Sequence, residues 1–434
     1  MIFKRMREHI LGKAIRGKLV PQLHEEGNVK QIGNAPTNVP FAIPSTWRWC
    51  SLGNLVDYGK AEKISCNDIP SSTWVLELED IEENTGKILE KKRDVEVKSN
   101  KNVFEEGYLL YSKLRPYLNK VVIADECGVC TTELIPINVK SAKAPLLAKY
   151  LQFFLMSPDF VDYANRHSHG TKPRLGTNDA KAANIPIPPF EEQNRIVAKI
   201  ESLFGEIDRA EKAYEELQSL ANVLRGQILQ KAIQGKLVPQ LPEDGVVEQI
   251  GHAPEEMPFE LPASWKWASL NSIGTIVSGA TPKTSVAEFW NGDINWVTPA
   301  DLGKSSSKWI SHGSRFLTKA GLKSCSAVLM PKGSIVYSSR APIGHIAIAA
   351  NELCTNQGCK SFVPKEEYIL TEWAYYTLIA RTKDIQSRAS GTTFKEISGT
   401  GMGNTLIPLP PLAEQKRIVA KVEALFEQID LMTK

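Results

Sequence analysis

Gly17-Lys-Leu-Val-Pro-Gln-Leu23 returns as Gly235-Lys-Leu-Val-Pro-Gln-Leu241. The copy runs ungapped over residues 7–52 and 225–270, with about 28 of 46 positions identical. It includes Trp47-x-Trp49 against Trp265-x-Trp267. A second echo sets Ile185-Pro-Ile-Pro-Pro189 through Asp208 against Ile407-Pro-Leu-Pro-Pro411 through Asp430. The chain is two half-molecules in tandem, and two similar halves imply two similar targets. A repeat of this length dictates the architecture before any local reading does.

Outward from the repeat, apolar residues step 4-3-4-3 through Ile196, Ile200, Leu203, Ile207, Ala210, Tyr214, Leu217, Ala221, Leu224 and Ile228. That is a coiled-coil seam held for more than four heptads. Pro188 and Pro189 sit where a helix can begin, and Gly235 followed by Pro239 is a stop. The spacing predicts a helix from about 190 to 234, roughly 65 Å long. The second copy opens alike, with Ile418, Val422, Leu425, Ile429 and Met432 on the seam. Its continuation lies at the other end of the sequence, where Phe3, Met6 and Ile10 match Ala221, Leu224 and Ile228. The second long helix is therefore expected in two pieces, with the termini on one helical line about 10 Å apart. The two long helices would run antiparallel as spacers, giving a pseudo-twofold circular arrangement.

This divides the chain into an N-terminal helix (1–24) completing the distal spacer, a globular region (45–185), a central coiled-coil helix (186–241), a second globular region (263–407) and a C-terminal helix (408–434). Gly/Pro/Asn-rich linkers (25–44 and 243–262) lead into each globular region. The globular regions have diverged but remain related. Gly107-Tyr-Leu-Leu-Tyr-Ser112 lines up with Gly333-Ser-Ile-Val-Tyr-Ser338, each followed by an arginine and a proline (Arg115-Pro116; Arg340-Ala-Pro342). Each then has a short apolar strand (121–124; 346–349), an aromatic amphipathic helix (146–156; 370–380) and a Gly-Thr loop (Gly170-Thr171; Gly391-Thr392). Short β-branched runs between turns, with one or two helices, predict α/β (α+β) domains.

The totals fit this layout. At 434 residues two or three domains are expected, and 42% hydrophobic residues mark a globular protein. A net charge of +3 neither demands nor excludes a polyanionic partner. Seven cysteines without framework spacing point to reduced thiols. The basic start Met1-Ile-Phe-Lys-Arg-Met-Arg7 lacks the apolar core of a signal peptide, and no apolar run is long enough to cross a bilayer. The expected setting is soluble and cytoplasmic, without a membrane.

Diverged domains on preserved spacers fit a protein whose spacers meet common partners while its domains read different targets. In this the chain resembles the specificity subunit of a type I restriction-modification system. The residues that carry the resemblance are Ile-Pro-x-Pro-Pro-x-x-Glu-Gln-x-Arg-Ile-Val (185–197 and 407–419) and the Gly-Lys-Leu-Val-Pro tails. Tyr111-Ser-Lys-Leu-Arg-Pro-Tyr117, Ser278-Gly-Ala-Thr-Pro-Lys283, Asn356-Gln-Gly358 and Ser390-Gly-Thr-Thr-Phe394 also fit its target-recognition domains. The resemblance implies non-catalytic recognition of double-stranded DNA, each domain reading one half of a bipartite site. It further implies two modification subunits that methylate adenine, docked on the coiled coil, and restriction/translocase subunits joining them. S-adenosylmethionine, ATP and Mg would belong to those partners, with no cofactor bound by this chain.

Phosphate contacts position a protein on DNA and base contacts carry sequence, so each domain needs both. Lys113, Arg115, Tyr117, Asn119 and Lys120 crowd one short loop, where Arg115 could fork onto guanine and Asn119 pair adenine. Lys172 and Arg174 form a second basic loop. The equivalents in the second domain are Thr281, Lys283, Ser338, Arg340, Gln357, Lys360, Thr393 and Lys395. The bland alternative is a solvated loop with Arg115 or Arg340 tied in a structural salt bridge. For the coiled coil and partner docking the candidates are Ile196, Ile200, Leu203, Ile207, Tyr214, Leu217, Leu224, Ile228, Ile418, Val422, Leu425 and Ile429.

Four motifs mislead. Ile187-Pro-Pro-Phe190 resembles the adenine-gripping motif of a methyltransferase, but isoleucine cannot accept the amino group's hydrogen bond. Gly399-Thr-Gly-Met-Gly403 lacks the spacing of a dinucleotide loop, and Thr298 stands where a phosphate loop ending at Gly303-Lys-Ser305 needs glycine. Cys127-x-x-Cys130 with His167-x-His169 matches no familiar zinc spacing, so no metal is expected. Two other functions compete. A fused modification or nuclease polypeptide would need a further domain, and no segment is left over to hold one. A protein-binding scaffold would explain the spacers but not two diverged domains with matching basic loops.

Overall fold

The structure, a computed structural model, describes residues 2–391 and 395–433. The predicted closeness of the termini falls on Met1 and Lys434, outside the described residues. The chain divides into two compact units, Met1–Ala213 and Tyr214–Lys434. The central helix, Phe190–Ile233, is 44 residues of unbroken α-helix and contributes to both. At 1.5 Å per residue it is about 66 Å long.

In the first unit, the N-terminal helix Ile2–Ala14 packs antiparallel to the start of the central helix. Arg7 donates to Asp208 (2.6 Å) and Glu211 (2.7 Å), while fifteen residues later Gln22 reaches Glu192. Leu11, Ala14 and Ile15 share one core with Ile196 and Ile200. The helix ends at Gly17 (φ 64°), where the Lys18 N–H reaches back to the Lys13 carbonyl and the Gly17 N–H to that of Ala14. This paired bond with a left-handed glycine is a Schellman stop. A β-carbon at Gly17 would sit 2.4 Å from Cγ of Pro44. Gly17→Ala is therefore expected to cost about 2 kcal/mol, from the left-handed backbone and the clash together. Urea unfolding would read this as a lowered midpoint at constant slope.

Beyond the helices, Arg48–Ser51 pairs antiparallel with Asn184–Ile187, placing Trp49 opposite Pro186. Proline is tolerated because the ribbon has only two strands, so its missing N–H interrupts no ladder. The ribbon joins the entrance and exit of the globular region. That region holds a four-stranded sheet (order 63–64, 101–104, 128–130, 75–76) and a three-stranded sheet (order 121–123, 109–112, 134–137). Helices Ala148–Met156 and Pro158–Arg166 cover the core. The core gathers Trp47, Tyr111, Tyr150, Phe154 and Phe160 with the helix residues above.

The second unit repeats the plan with different sheets. Lys266–Ser269 pairs with Leu406–Leu409, Trp267 facing Pro408. A five-stranded sheet (order 274–278, 360–364, 335–337, 346–349, 309–310) packs under helix Thr371–Ser387. A three-stranded sheet (order 315–317, 290–297, 354–355) has no counterpart of the same order in the first unit. The last helix, Leu412–Met432, pairs antiparallel with the end of the central helix, since Glu414 meets Gln240 and Asp430 meets Arg225. Gly235 (φ 69°) ends the central helix with the same stop as Gly17.

The preserved motif acts as an anchor in both units. Glu192, buried, accepts from Trp47 Nε1 (2.8 Å) and Gln22 Nε2 (2.5 Å). Gln193 accepts the Leu147 N–H (2.9 Å) and donates to the Pro145 and Pro188 carbonyls. In the second unit Glu414 accepts from Trp265 (2.9 Å) and Gln240 (2.5 Å), and Gln415 repeats the contacts of Gln193 on Leu370, Tyr368 and Pro410. Arg195 forks onto Glu26 (2.7 and 2.6 Å), as Arg417 binds Asp244. Each long helix is thus tied to the linker that precedes the globular region.

The seam is partly as predicted. Ile196, Ile200, Ile207 and Ile228 are buried, as are Ile418, Val422 and Ile429. Leu203, Leu217 and Leu425 are half-buried. Tyr214 and Leu224, on the same stripe, are exposed: a 4-3 step marks an apolar stripe without saying what covers it.

Candidate nucleic-acid interface

In the first unit the two basic loops are one structure. Leu114 faces Arg174 across an antiparallel bridge, the Leu175 N–H donates to the Lys113 carbonyl (2.9 Å), and the Arg115 N–H donates to that of Pro173 (2.7 Å). Arg115 is held in the left-handed region (φ 49°, ψ 65°), a conformation that non-glycine residues adopt at a cost of about 1–3 kcal/mol. Its guanidinium is exposed and, among the described residues, without a partner. Tyr117 and Lys172 are likewise exposed beside it in sequence and bridge.

The remaining cations of this loop pair are engaged. Arg174 grips Glu133 through Nε (3.0 and 3.1 Å) and Nη2 (2.9 Å), and Lys113 lies 4.0 Å from the same carboxylate. The hydrogen bond and charge of Glu133 raise the Arg174 pKa further above its ordinary value. Two expectations are corrected here. Asn119 is buried in a left-handed turn, its amide donating to the Met156 carbonyl (3.0 Å), so it cannot reach adenine. Lys120 donates to the Leu78 carbonyl (2.8 Å) and is half-buried, which makes it a loop fastener.

The second unit builds the same junction. Arg340 faces Glu396, the Ile397 N–H donates to the Ser339 carbonyl (3.0 Å), and the Ser339 N–H donates to that of Gly358 (2.8 Å). These bonds keep the register that sets Ser112 against Ser338. Lys113 and Ser339 are equivalents, hence so are Leu114 and Arg340, and Arg174 and Glu396. Arg340 therefore occupies the Leu114 position, and Ala341 stands where the first unit has Arg115. Across the bridge the furnishing differs: an arginine replaces Leu114, and a carboxylate stands where the first unit has Arg174.

Glu396 accepts from Arg340 Nε (2.8 Å) and Lys360 Nζ (3.3 Å). Burial pushes its carboxyl up, but the bond from Arg340 and the charge of Lys360 leave it below the usual glutamate range. Thr281 hydrogen-bonds to Gln357, whose side chain is exposed, and Lys283 and Lys395 are exposed. Lys360 is mostly buried and also donates to the Gln357 carbonyl (3.2 Å). Ser338 is a further correction. It is fully buried, donates to the Pro342 carbonyl (2.8 Å) and accepts the N–H groups of Gly344 and His345, so it shapes the loop from within. Thr393 lies outside the described residues.

Glu133 and Glu396 are the residues that sequence reasoning missed. Neither belongs to a motif: Glu133 ends a turn before a strand, and Glu396 follows the Gly-Thr loop by several positions. The misleading motifs resolve as local structure. Gly399–Gly403 is one helical turn capped by Ser398, and Thr298 caps the short helix Pro299–Lys304. Among the described residues no three His, Cys, Asp or Glu side chains gather as metal ligands. Burial pushes the Cys130 thiol up to about 12, the protonated form. No helix among the described residues is long and apolar enough to cross a membrane.

Two units with the same helical anchor, each presenting a two-loop junction of cations, define a tandem recognition protein. Residues 44–219 and 262–434 match the family described as type I restriction modification DNA specificity domain, and the chain belongs to that family, with the domain present twice. The MjaIX specificity subunit of Methanocaldococcus jannaschii is 38% identical over 172 residues, 39% of each chain. The EcoDI specificity subunit of Escherichia coli is 32% identical over 253 residues, 55% of each chain. These two matches thus span only 39% and 55% of the relatives' length. The EcoAI specificity subunit of Escherichia coli is 24% identical over 98% of this chain and 89% of its own. Among solved structures, a chain from work on complex assembly and conformational transition of the type I R-M system superposes with a TM-score of 0.71 at 24% identity, covering 91% of this chain and 93% of its own. The HsdS subunit from Thermoanaerobacter tengcongensis gives 0.52 at 24% identity, covering 90% and 92%. These likenesses show the fold.

Proposed function

We propose that this chain is the DNA-reading, non-catalytic subunit of a type I restriction-modification assembly. Each unit reads one half of a bipartite site in double-stranded DNA. The observation that carries this is the two-loop junction, built by equivalent backbone bonds in both units yet furnished with different charges. A common frame with divergent side chains is what two readers of different half-sites require. The helices supply the spacer between half-sites and the surface for two modification subunits, with restriction/translocase subunits joining them. S-adenosylmethionine, ATP and Mg belong to those partners, and this chain needs no cofactor of its own. An intracellular, cytoplasmic setting follows from a DNA target.

In the first unit Arg115 is the leading base-reader, exposed and free among the described residues. In the second unit Arg340, Gln357, Lys283 and Lys395 take that part. Deleting the gene while the partner genes remain expressed is expected to erase one bipartite N6-methyladenine motif from the host genome. Single-molecule sequencing reads this directly, and an unchanged methylome sinks the proposal. Arg115→Ala is expected to relax one position of one half-site by about tenfold or more. Weakening spread evenly over unrelated sequences would instead make Arg115 a phosphate contact.

A further inference from the structure

Arg340 and Glu396 stand in a relation that the DNA-reading role alone does not require. Arg340 is held by one nitrogen only: Nε donates to Glu396, and among the described residues the two terminal nitrogens have no partner. The guanidinium remains close to half exposed. Glu396 is itself fixed from both sides. Its backbone exchanges hydrogen bonds with Ser390 (3.1 and 2.8 Å), and its second oxygen takes Lys360, whose ammonium is mostly buried and tied to the Gln357 carbonyl. The carboxylate is therefore a stop against which the arginine is turned.

A guanidinium pinned through Nε presents Nη1 and Nη2 as two parallel donors. That edge matches O6 and N7 of guanine, two acceptors side by side in the major groove, and no other base shows that pair. An arginine swinging freely offers the same donors to any phosphate. Pinning removes that freedom and lowers the ordering cost of a bidentate contact. The first unit makes the contrast. There Glu133 occupies the Nε–Nη2 edge of Arg174, and Nη1 leans toward the Lys172 carbonyl (3.4 Å), so no clear pair of donors is left.

We propose that Arg340 reads one guanine in the half-site of the second unit, and that Glu396 is the positioning residue that sets this specificity by holding Nε. The inference rests on the DNA-reading function proposed above. It is tested in the complete assembly, in cells carrying the wild-type chain, Glu396→Gln, Arg340→Lys or Arg340→Ala, by N6-methyladenine sequencing. The wild-type methylome tests the parent reading alone: without a bipartite motif that reading fails before Arg340 is reached. Given a motif, Arg340→Lys and Arg340→Ala are expected to make one G·C position of one half degenerate. Glu396→Gln should loosen the same position, discrimination falling about tenfold, while the other half-site is unchanged. Thermal unfolding of each purified variant checks that the fold persists. Glu396→Gln leaving the motif intact, or weakening every position alike, overturns the positioning role. Degeneracy at an A·T position overturns the guanine assignment.

Discussion

Glu192→Ala is expected to destabilise the first unit by about 3 kcal/mol, a large share of the roughly 5–15 kcal/mol that holds a domain folded. The carboxylate is 1% exposed and accepts two donors from opposite sides, the Trp47 indole N–H and the Gln22 amide. Removing it strands the buried Trp47 indole N–H at about 1–3 kcal/mol, takes the acceptor from the half-buried Gln22 amide, and leaves a void beneath Trp47. Glu192→Gln keeps the shape but turns an amide NH2 toward one donor, so about half that loss is expected. Glu414→Ala should do the same to the second unit, since Trp265 and Gln240 repeat the arrangement. Urea unfolding followed by tryptophan fluorescence measures both, and an unmoved midpoint would remove Glu192 from the anchor.

The same site has a pH signature. Burial raises the Glu192 pKa above the ordinary glutamate value, although the bonds from Trp47 and Gln22 pull it back in part. A carboxyl raised in the folded state binds its proton more tightly when folded. Its contribution is therefore most favourable below the unfolded pKa and is lost as pH rises through the folded one. The advantage of wild type over Glu192→Gln should shrink from about pH 4 upward and level off once Glu192 is ionised.

The residues of these anchors were legible in the sequence because Gln22, Trp47, Glu192 and Gln193 lie inside the repeat, although their contacts were not. Trp47, Glu192 and Gln193 recur as Trp265, Glu414 and Gln415, and helical periodicity placed the central helix within one residue of its observed end. The reading junction was legible only in part. Chain order put Arg115 and Arg174 in separate loops, and nothing in their spacing says that Leu114 bridges Arg174. Glu133 reaches the junction from a third segment, so no local pattern flags it. Ser338 and Asn119 carry the polar side chains that a DNA loop would use, yet the tight turns beside them leave backbone groups that need those side chains more. Register across a tertiary bridge, set by packing, decides which arginine faces outward.

The seam leaves a test of what the helices dock. Leu220, Val223 and Leu224 are 66%, 55% and 45% exposed and lie at i, i+3 and i+4, so they form one apolar strip on the central helix. Apolar residues at that spacing serve burial, and nothing in their own unit covers them to that extent. Leu220→Lys with Val223→Lys should change the stability of the chain by less than about 0.5 kcal/mol, since both side chains already stand in water. In the docking role proposed above, the effect against a modification subunit is expected to be far larger. Each apolar side chain gives up about 1.5–3 kcal/mol of burial, and each new ammonium must be desolvated. A loss of about 4 kcal/mol or more is a thousandfold or more in affinity. Co-expression with the modification subunits and size-exclusion chromatography should then recover the double variant free of them, with the methylation motif gone. Ile228→Lys, at a buried position of the same helix, serves as the contrast: it should unfold its unit rather than merely release the partner. A double variant that still assembles at full stoichiometry would place the docking surface on another face of the helix.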